Sequence, residues 1–259
     1  MGLVDQIGRP VPVNGIPSRV VCLVPSLTEL LVDLGLESSI IGVSKFCVHP
    51  PHIRKTKRVV GGTKQVHYTK VEEMSPDFIL CNKEENTLEM VKGLEAIAPV
   101  FVSDINSLED CVSLIKTLGN VFDIENRATA MTKQLLDKHR EIDSAASGLP
   151  KISVIYLIWN DPLMAAGKGT FIDHMLSLVG LENCIQKQRY PQLEPSDLTM
   201  ADHILLSSEP FPFKEHHRKA IAEQSQVSTH FIDGEYCSWY GSRLLRGMEY
   251  LFDFRKGLE

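Results

Sequence analysis

The sequence predicts an α/β protein made of two lobes of mostly parallel sheet joined by a single long α-helix. Three observations carry that expectation. Short apolar runs alternate with amphipathic helical stretches, the pattern of strands laid side by side and covered by helices. One tract, 124–146, breaks the alternation: it contains no Gly or Pro and is rich in Ala, Leu, Lys, Arg and Glu. At ~1.5 Å per residue it reads as one helix of roughly 34 Å. After Gly148-Leu149-Pro150 the alternation starts again. The expected division is a first lobe over 1–122, a linking helix over 123–147 and a second lobe over 148–259.

The elements follow in order. Arg19-Val20-Val21-Cys22-Leu23-Val24 reads as the first strand, ended by Pro25. Ser26-Leu27-Thr28-Glu29 has the spacing of a capping box, ahead of an apolar face at Leu27, Leu30, Leu31 and Leu34, and Gly35 suits the stop. A strand over 77–81, a helix over 85–97, a strand over 99–102 and a helix over 108–118 complete the first lobe; Leu108, Val112, Ile115 and Leu118 form the apolar stripe of the last. The second lobe reads as a strand over 152–158, a helix over 171–179, a strand over 203–206, a helix over 214–224, a strand over 229–232 and a closing helix over 242–256.

Composition excludes several classes of function. With 259 residues, 43% hydrophobic and 23% charged, the chain is an ordinary folded protein and not a disordered polymer. A net charge of −6 without a basic block argues against nucleic acid as a partner. No apolar run approaches the ~18–20 residues of a membrane span. Six cysteines are scattered along the chain, and Cys22 and Cys81 fall in apolar runs, so reduced thiols are expected over a disulfide framework. The first residues, Met1-Gly2-Leu3-Val4-Asp5-Gln6, carry an acid where a secretion signal has Lys or Arg, and Gln6 stands where a myristoylation signal has Ser or Thr. The expected compartment is therefore the cytoplasm as the chain stands, with the periplasm the alternative if a leader has been removed.

Four clusters could carry chemistry. Phe46, Cys47 and His49 sit in a Pro-rich stretch where Cys47 and His49 alternate as on a strand, offering two metal-ligand types, or an incidental thiol in a loop. Thr63 and Lys64 follow Gly61-Gly62, which either lets backbone approach a ligand or makes a plain turn. Glu84 and Glu85 follow a strand, at the carboxyl edge where open α/β sheets bind ligands, and either act there or cap the next helix. The richest stretch, Asp233 to Arg243, sets Tyr236, Trp239 and Tyr240 beside Arg243 between a strand and a helix, which suits a flat π-rich ligand with a carboxylate or phosphate. At least one of its rings is expected in the core. Trp159 and Glu209 fall at the ends of two other second-lobe strands. Neither a Gly-x-Ser-x-Gly elbow nor a phosphate loop nor a Gly-x-Gly-x-x-Gly turn is present, so the chemistry on offer is recognition more than covalent catalysis.

The run Arg19-Val-Val-Cys-Leu-Val-Pro-Ser-Leu-Thr-Glu-Leu-Leu, with Leu34-Gly35-Leu36 and Ile41-Gly42-Val43 after it, resembles the opening of the helical-backbone metal-chelate receptors. These are the substrate-binding proteins of vitamin B12, haem and iron-siderophore ABC importers. Ser75-Pro76-Asp77-Phe78-Ile79-Leu80 resembles that family's Pro-Asp-strand motif, and Ala201-Asp202-His203-Ile204-Leu205-Leu206 its second-lobe copy. Pro162 through Gly167, Phe171-Ile172 and Gly180-Leu181-Glu182-Asn183 are similar to the start of the second lobe. The resemblance implies two Rossmann-like lobes on one rigid helix, a corrinoid, haem or ferric chelate held in a cleft, and pocket positions at Phe46, Trp159, Tyr236, Trp239 and Arg243. The first-lobe tryptophan of B12 receptors corresponds here to Thr63, which implies a more polar pocket on that side. The two glutamates with which such receptors dock a permease correspond to Thr69 and a position at or beside Ser196, so that correspondence fails, although Glu72, Glu73, Glu194 and Asp197 lie close.

The leading expectation is thus a monomeric, non-enzymatic receptor for a small-molecule metal chelate, with no intrinsic cofactor and an ABC permease as partner. The alternatives are a cytoplasmic chelate- or anion-binding member of the same fold, and a metal-dependent enzyme using Cys47, His49, Glu84 and Glu85.

Overall fold

Strands that are apolar on both faces need cover on both sides, and the chain supplies it by alternating strand and helix. The computed structural model describes residues 2–258. A short antiparallel pair, β1 (Leu3–Val4) and β2 (Pro10–Val11), opens the chain. It continues through β3 (Val20–Cys22), α1 (Pro25–Asp33), β4 (Ile40–Ser44), α2 (Ile53–Thr56), β5 (Arg58–Gly61), α3 (Tyr68–Glu72), β6 (Phe78–Asn82), α4 (Leu88–Glu95), β7 (Val100–Ser103) and α5 (Leu108–Val121). The five strands from β3 pair in parallel in the order β5-β4-β3-β6-β7. All residues of β3, β6 and β7 are buried, as a doubly covered sheet requires.

The predicted long helix is α6 (Glu125–Ala146). Ala128, Thr132, Leu135 and Ile142 lie on one stripe and are all under 4% exposed. A second parallel sheet follows, built from β8 (Ile152–Asn160), β9 (Leu163–Ala165), α7 (Phe171–Leu178), β10 (Leu181–Asn183), β11 (His203–Ser207), α8 (Glu215–Ser225), β12 (Ser228–Ile232), α9 (Gly234–Ser238) and α10 (Leu244–Lys256). Its order is β10-β8-β11-β12, with β9 antiparallel on β8. The α/β fold class expected from the alternation therefore holds.

The chain divides into two compact units. The first holds residues 1–105, 109–133 and 240–243; the second holds 106–108, 134–239 and 244–259. Residues 125–133 of α6 thus count with the first unit and 134–146 with the second.

Two local expectations need correction. The capping box at Ser26 does not form: α1 begins at Pro25, Val24 is its N-cap, and no side chain caps it. Pro at the first turn gives up no intrahelical hydrogen bond, so the start needs no box, and the Glu29 carboxylate is taken by Arg243. The stretch after β12 is not an open loop either. Asp233 accepts a hydrogen bond from the Glu235 amide at 2.9 Å and nucleates α9.

Candidate functional site

In the first unit the loops leaving β4, β5 and β6 meet at the carboxyl edge of the sheet. The Lys45 amide donates to the Gly61 carbonyl at 2.7 Å, and the Gly62 amide to the Gln65 carbonyl at 2.7 Å. Asn82, the last residue of β6, orders the next turn: its side-chain oxygen accepts from the amides of Glu84 (2.8 Å) and Glu85 (3.1 Å). Its side-chain amide donates to Ser103 Oγ at 3.0 Å. Asn86 accepts from the Asn82 amide at 2.9 Å and donates to the Thr63 carbonyl at 2.8 Å, while Lys64 donates to the Glu84 carbonyl. Two asparagines four apart thus hold the 82–86 loop, a signal present in the sequence beside the more conspicuous glutamates. Glu85 is not the cap of α4, because Thr87 is: its hydroxyl accepts from the Met90 amide at 3.2 Å. Burial pushes the Glu85 carboxyl up, against the pull of the Lys64 charge and the Thr63 hydroxyl.

Of the other expected residues in this unit, Phe46 is 48% exposed, with Lys45 Nζ 5.0 Å from its ring centre. Thr63 is half-buried and Lys64 exposed. A cavity of about 200 Å³ opens beside them, lined by Lys45, Gly61, Gly62, Gln65, His67 and Lys70. Cys47 and His49 do not alternate on a strand, since β4 stops at Ser44 and the chain turns there. Cys47 is fully buried, its Sγ 3.1 Å from Thr28 Oγ1 and 3.3 Å from Ser44 Oγ, and burial pushes its thiol up. His49 is half-buried. Among the described residues no three His, Cys, Asp or Glu side chains converge on a position that could hold a metal ion.

Tyr240 and Arg243 also belong to the first unit, and both are below 9% exposed. Arg243 makes a two-pronged pair with Glu29, at 2.7 Å from Nε and 2.9 Å from a terminal nitrogen. Burial first and the Glu85 charge second push the Tyr240 phenol well above the usual range. These two side chains serve the interior and offer a ligand little surface, which corrects their reading as ligand-facing groups.

The second unit presents an aromatic edge. Trp159, at the end of β8, is 39% exposed, and its indole nitrogen donates to the Asp161 carbonyl at 2.9 Å. Its ring meets Phe211 edge-on at 5.5 Å, and Phe211 in turn meets Phe213 at 4.9 Å and His217 at 5.1 Å. His217 is the member that the sequence reading did not single out. Glu209 accepts on one oxygen from both Trp239 Nε1 (2.8 Å) and Ser238 Oγ (2.9 Å), so Trp239 and Glu209 form one group. Gly234 makes this possible: a Cβ there would fall 2.5 Å from Glu209 Cγ and from Ser207 Oγ. Tyr236 stacks on Tyr250 at 4.9 Å and packs toward α10.

Of the carboxylates near the expected docking positions, Glu73 pairs with Arg58 at 2.6 Å, and Glu194 and Asp197 cap the same short turn reciprocally. Glu72 stays exposed on α3.

The first unit thus has a polar, loop-laced edge and the second an aromatic one. Comparison with known proteins gives the family. A family profile described as "Periplasmic binding protein" matches residues 20–202. The chain belongs to that family. It is 24% identical over 267 aligned positions to an uncharacterised ABC transporter substrate-binding lipoprotein of Bacillus subtilis, covering 95% of this chain and 82% of the relative. It is 25% identical to the vitamin B12-binding protein of Pectobacterium atrosepticum, covering 68% of this chain and 65% of that protein, a little under two-thirds of its length. The fold matches the periplasmic vitamin B12-binding protein of Vibrio cholerae with a TM-score of 0.80 at 19% identity, covering 95% of this chain and 99% of that one. It matches a periplasmic haem-binding protein of Pseudomonas aeruginosa with a TM-score of 0.78 at 24% identity, covering 92% of each. The family resemblance carried by the first-strand motif therefore holds, and these relatives and neighbours are named as substrate-binding, vitamin B12-binding and haem-binding proteins.

The compartment expectation does not. The Bacillus relative is a lipoprotein and these structural neighbours are periplasmic, which overturns the cytoplasmic reading. That reading draws on the first residues, supported by the expectation of reduced thiols. All six are free, but five are buried, and a buried thiol is inert whatever the redox state outside. Among the described residues no helix is long and apolar enough to cross a membrane.

Proposed function

We propose that this protein is the substrate-binding receptor of an ABC importer, working outside the cytoplasm and delivering a metal chelate of the corrinoid, haem or ferric-chelate class to a permease. The observation that carries the reading is the Trp159 ring, 39% exposed and edge-on against the half-buried Phe211 at the strand ends of the second unit, in a chain of the periplasmic binding protein family. An exposed aromatic ring at the mouth of a sheet costs solvation in the free protein and suits an apolar or π-rich partner. The Trp239–Glu209 group beside them adds an anchored acceptor. In the first unit, Phe46, Thr63, Lys64 and the 82–86 loop make up the ligand face, with Glu84 and Glu85 as its carboxylates. Cys47, Tyr240 and Arg243 support that face from the interior. The B12- and haem-binding names of the relatives favour a tetrapyrrole-like cargo, and the cargo metal arrives already chelated, so no resident cofactor is needed.

Absorbance titration of the purified protein with haemin, cyanocobalamin and a ferric catecholate tests the reading. At least one is expected to bind at micromolar Kd or tighter, and Trp159→Ala to weaken it about tenfold, as loss of an aromatic anchor does. Absence of binding across the panel would overturn the proposal.

A further inference from the structure

The cavity beside Phe46 stands out for its charge. The chain is acidic overall, yet this cavity is lined by two lysines, Lys45 and Lys70, with His67 and Gln65, and by no Asp or Glu. Neither lysine has an acidic partner among the described residues. Lys45 is held over the Phe46 ring at 5.0 Å. The acids closest in sequence to Lys70 are Glu72 and Glu73, and Glu73 is bound to Arg58 at 2.6 Å.

The floor of the cavity is built for close approach. Gly61 has φ +146°, and a Cβ on it would lie 2.4 Å from the Gln65 carbonyl oxygen. Only glycine lets residues 61–66 fold back so that Gly61 bridges Val66 and the Gly62 amide meets the Gln65 carbonyl. A Cβ on Gly62 would sit 3.3 Å from the Phe46 ring and 3.4 Å from the Lys45 side chain, so the bare backbone leaves room for both to lie over it. Ammonium and imidazole groups facing one cavity without a carboxylate select against cations and for a small anionic group.

We propose that this cavity is an anion site that takes a carboxylate or phosphate substituent of the ligand, so that the cargo is an anionic chelate whose flat body lies toward Phe46. The cargo part of the proposal rests on the receptor reading above; the anion site itself does not.

Two arms test it. In the first, ¹⁵N-labelled protein is titrated with inorganic phosphate: the amides of Gly62, His67 and Lys70 are expected to shift saturably, while that of Lys151, an exposed lysine of the other unit, does not. The shifts are expected to vanish in Lys45→Gln/Lys70→Gln, whose thermal unfolding matches the parent because both side chains are exposed. In the second arm, haemin, a dicarboxylate, is compared with its dimethyl ester. The double variant is expected to lose about tenfold in affinity for haemin, the sum of two exposed ion pairs, and nothing for the ester. Absence of a saturable phosphate shift overturns the proposal, as does a double variant that binds haemin like the parent. If the parent binds neither porphyrin while the phosphate shifts appear and depend on the lysines, the anion site stands and the tetrapyrrole reading of the receptor falls.

Discussion

Arg243 shows how a residue's task depends on what folding places next to it. In the sequence it is a cation beside three aromatics; in the structure its guanidinium faces Glu29, 214 positions away, with side chains only 7% and 13% exposed. Removing one partner of a buried pair leaves a charge with neither water nor counter-ion, at a cost of about 3–5 kcal/mol. Arg243→Met is therefore expected to lower the unfolding free energy by that much, read as a lower urea midpoint at unchanged m-value, and Glu29→Leu/Arg243→Met to regain most of it. A single variant as stable as the parent, with weakened ligand binding, would return Arg243 to the ligand face.

At the scale of elements, β11 and β12 bring His203 and His230 together, with Nδ1 of one 3.1 Å from Nε2 of the other. One proton serves that contact; a second puts like charges side by side. Burial, the neighbouring His203 and Arg218 hold the His230 imidazole below its ordinary value. The unfolded chain therefore takes up this proton first as the pH falls. The stability linked to His230 is complete above about pH 6.5 and is lost as the pH drops through the folded value. Thermal unfolding is expected to move to lower temperature between about pH 7 and pH 5, and His230→Gln to flatten that dependence. An unchanged slope in the variant would place the titration elsewhere.

Elements were also the most legible level of the sequence. The strand at 20–22, the doubly buried strand at 78–82 and the long helix at 125–146 all lie where period and composition put them, because local pattern and tertiary burial ask for the same residues there. Legibility failed where a side chain had a distant partner. Ser26-x-x-Glu29 spells a capping box, but Glu29 is committed to Arg243. The aromatics after β12 look solvent-facing, but Tyr236 is stacked on Tyr250 from α10. In the candidate site, Trp159 and Phe46 were readable as exposed rings at strand ends, whereas the lysine-lined cavity needed Lys45 and Lys70, on separate elements, to be seen together.

For the whole molecule, the cysteines report on packing more than on compartment. Cys22, Cys47, Cys81, Cys111 and Cys237 are buried, and burial pushes their thiols up, to about 12 for Cys22 and Cys111. Cys184 alone is partly exposed, and its thiol is also raised. A thiol reagent such as DTNB is expected to modify only Cys184 in the native protein, slowly, and all six after denaturation. Rapid native reaction of a second thiol would contradict the buried assignment. Such a protein tolerates an oxidising surrounding without needing a disulfide.

The first unit includes residues 240–243, and that membership sets an order of events during synthesis. A nascent chain carrying only the first half holds Glu29 with no guanidinium to meet it and lacks the buried Tyr240 ring. Its sheet can assemble as it emerges, but its interior closes only once residues 240–243, which follow most of the second unit, have left the ribosome. The first lobe is begun first and completed after most of the second has been made.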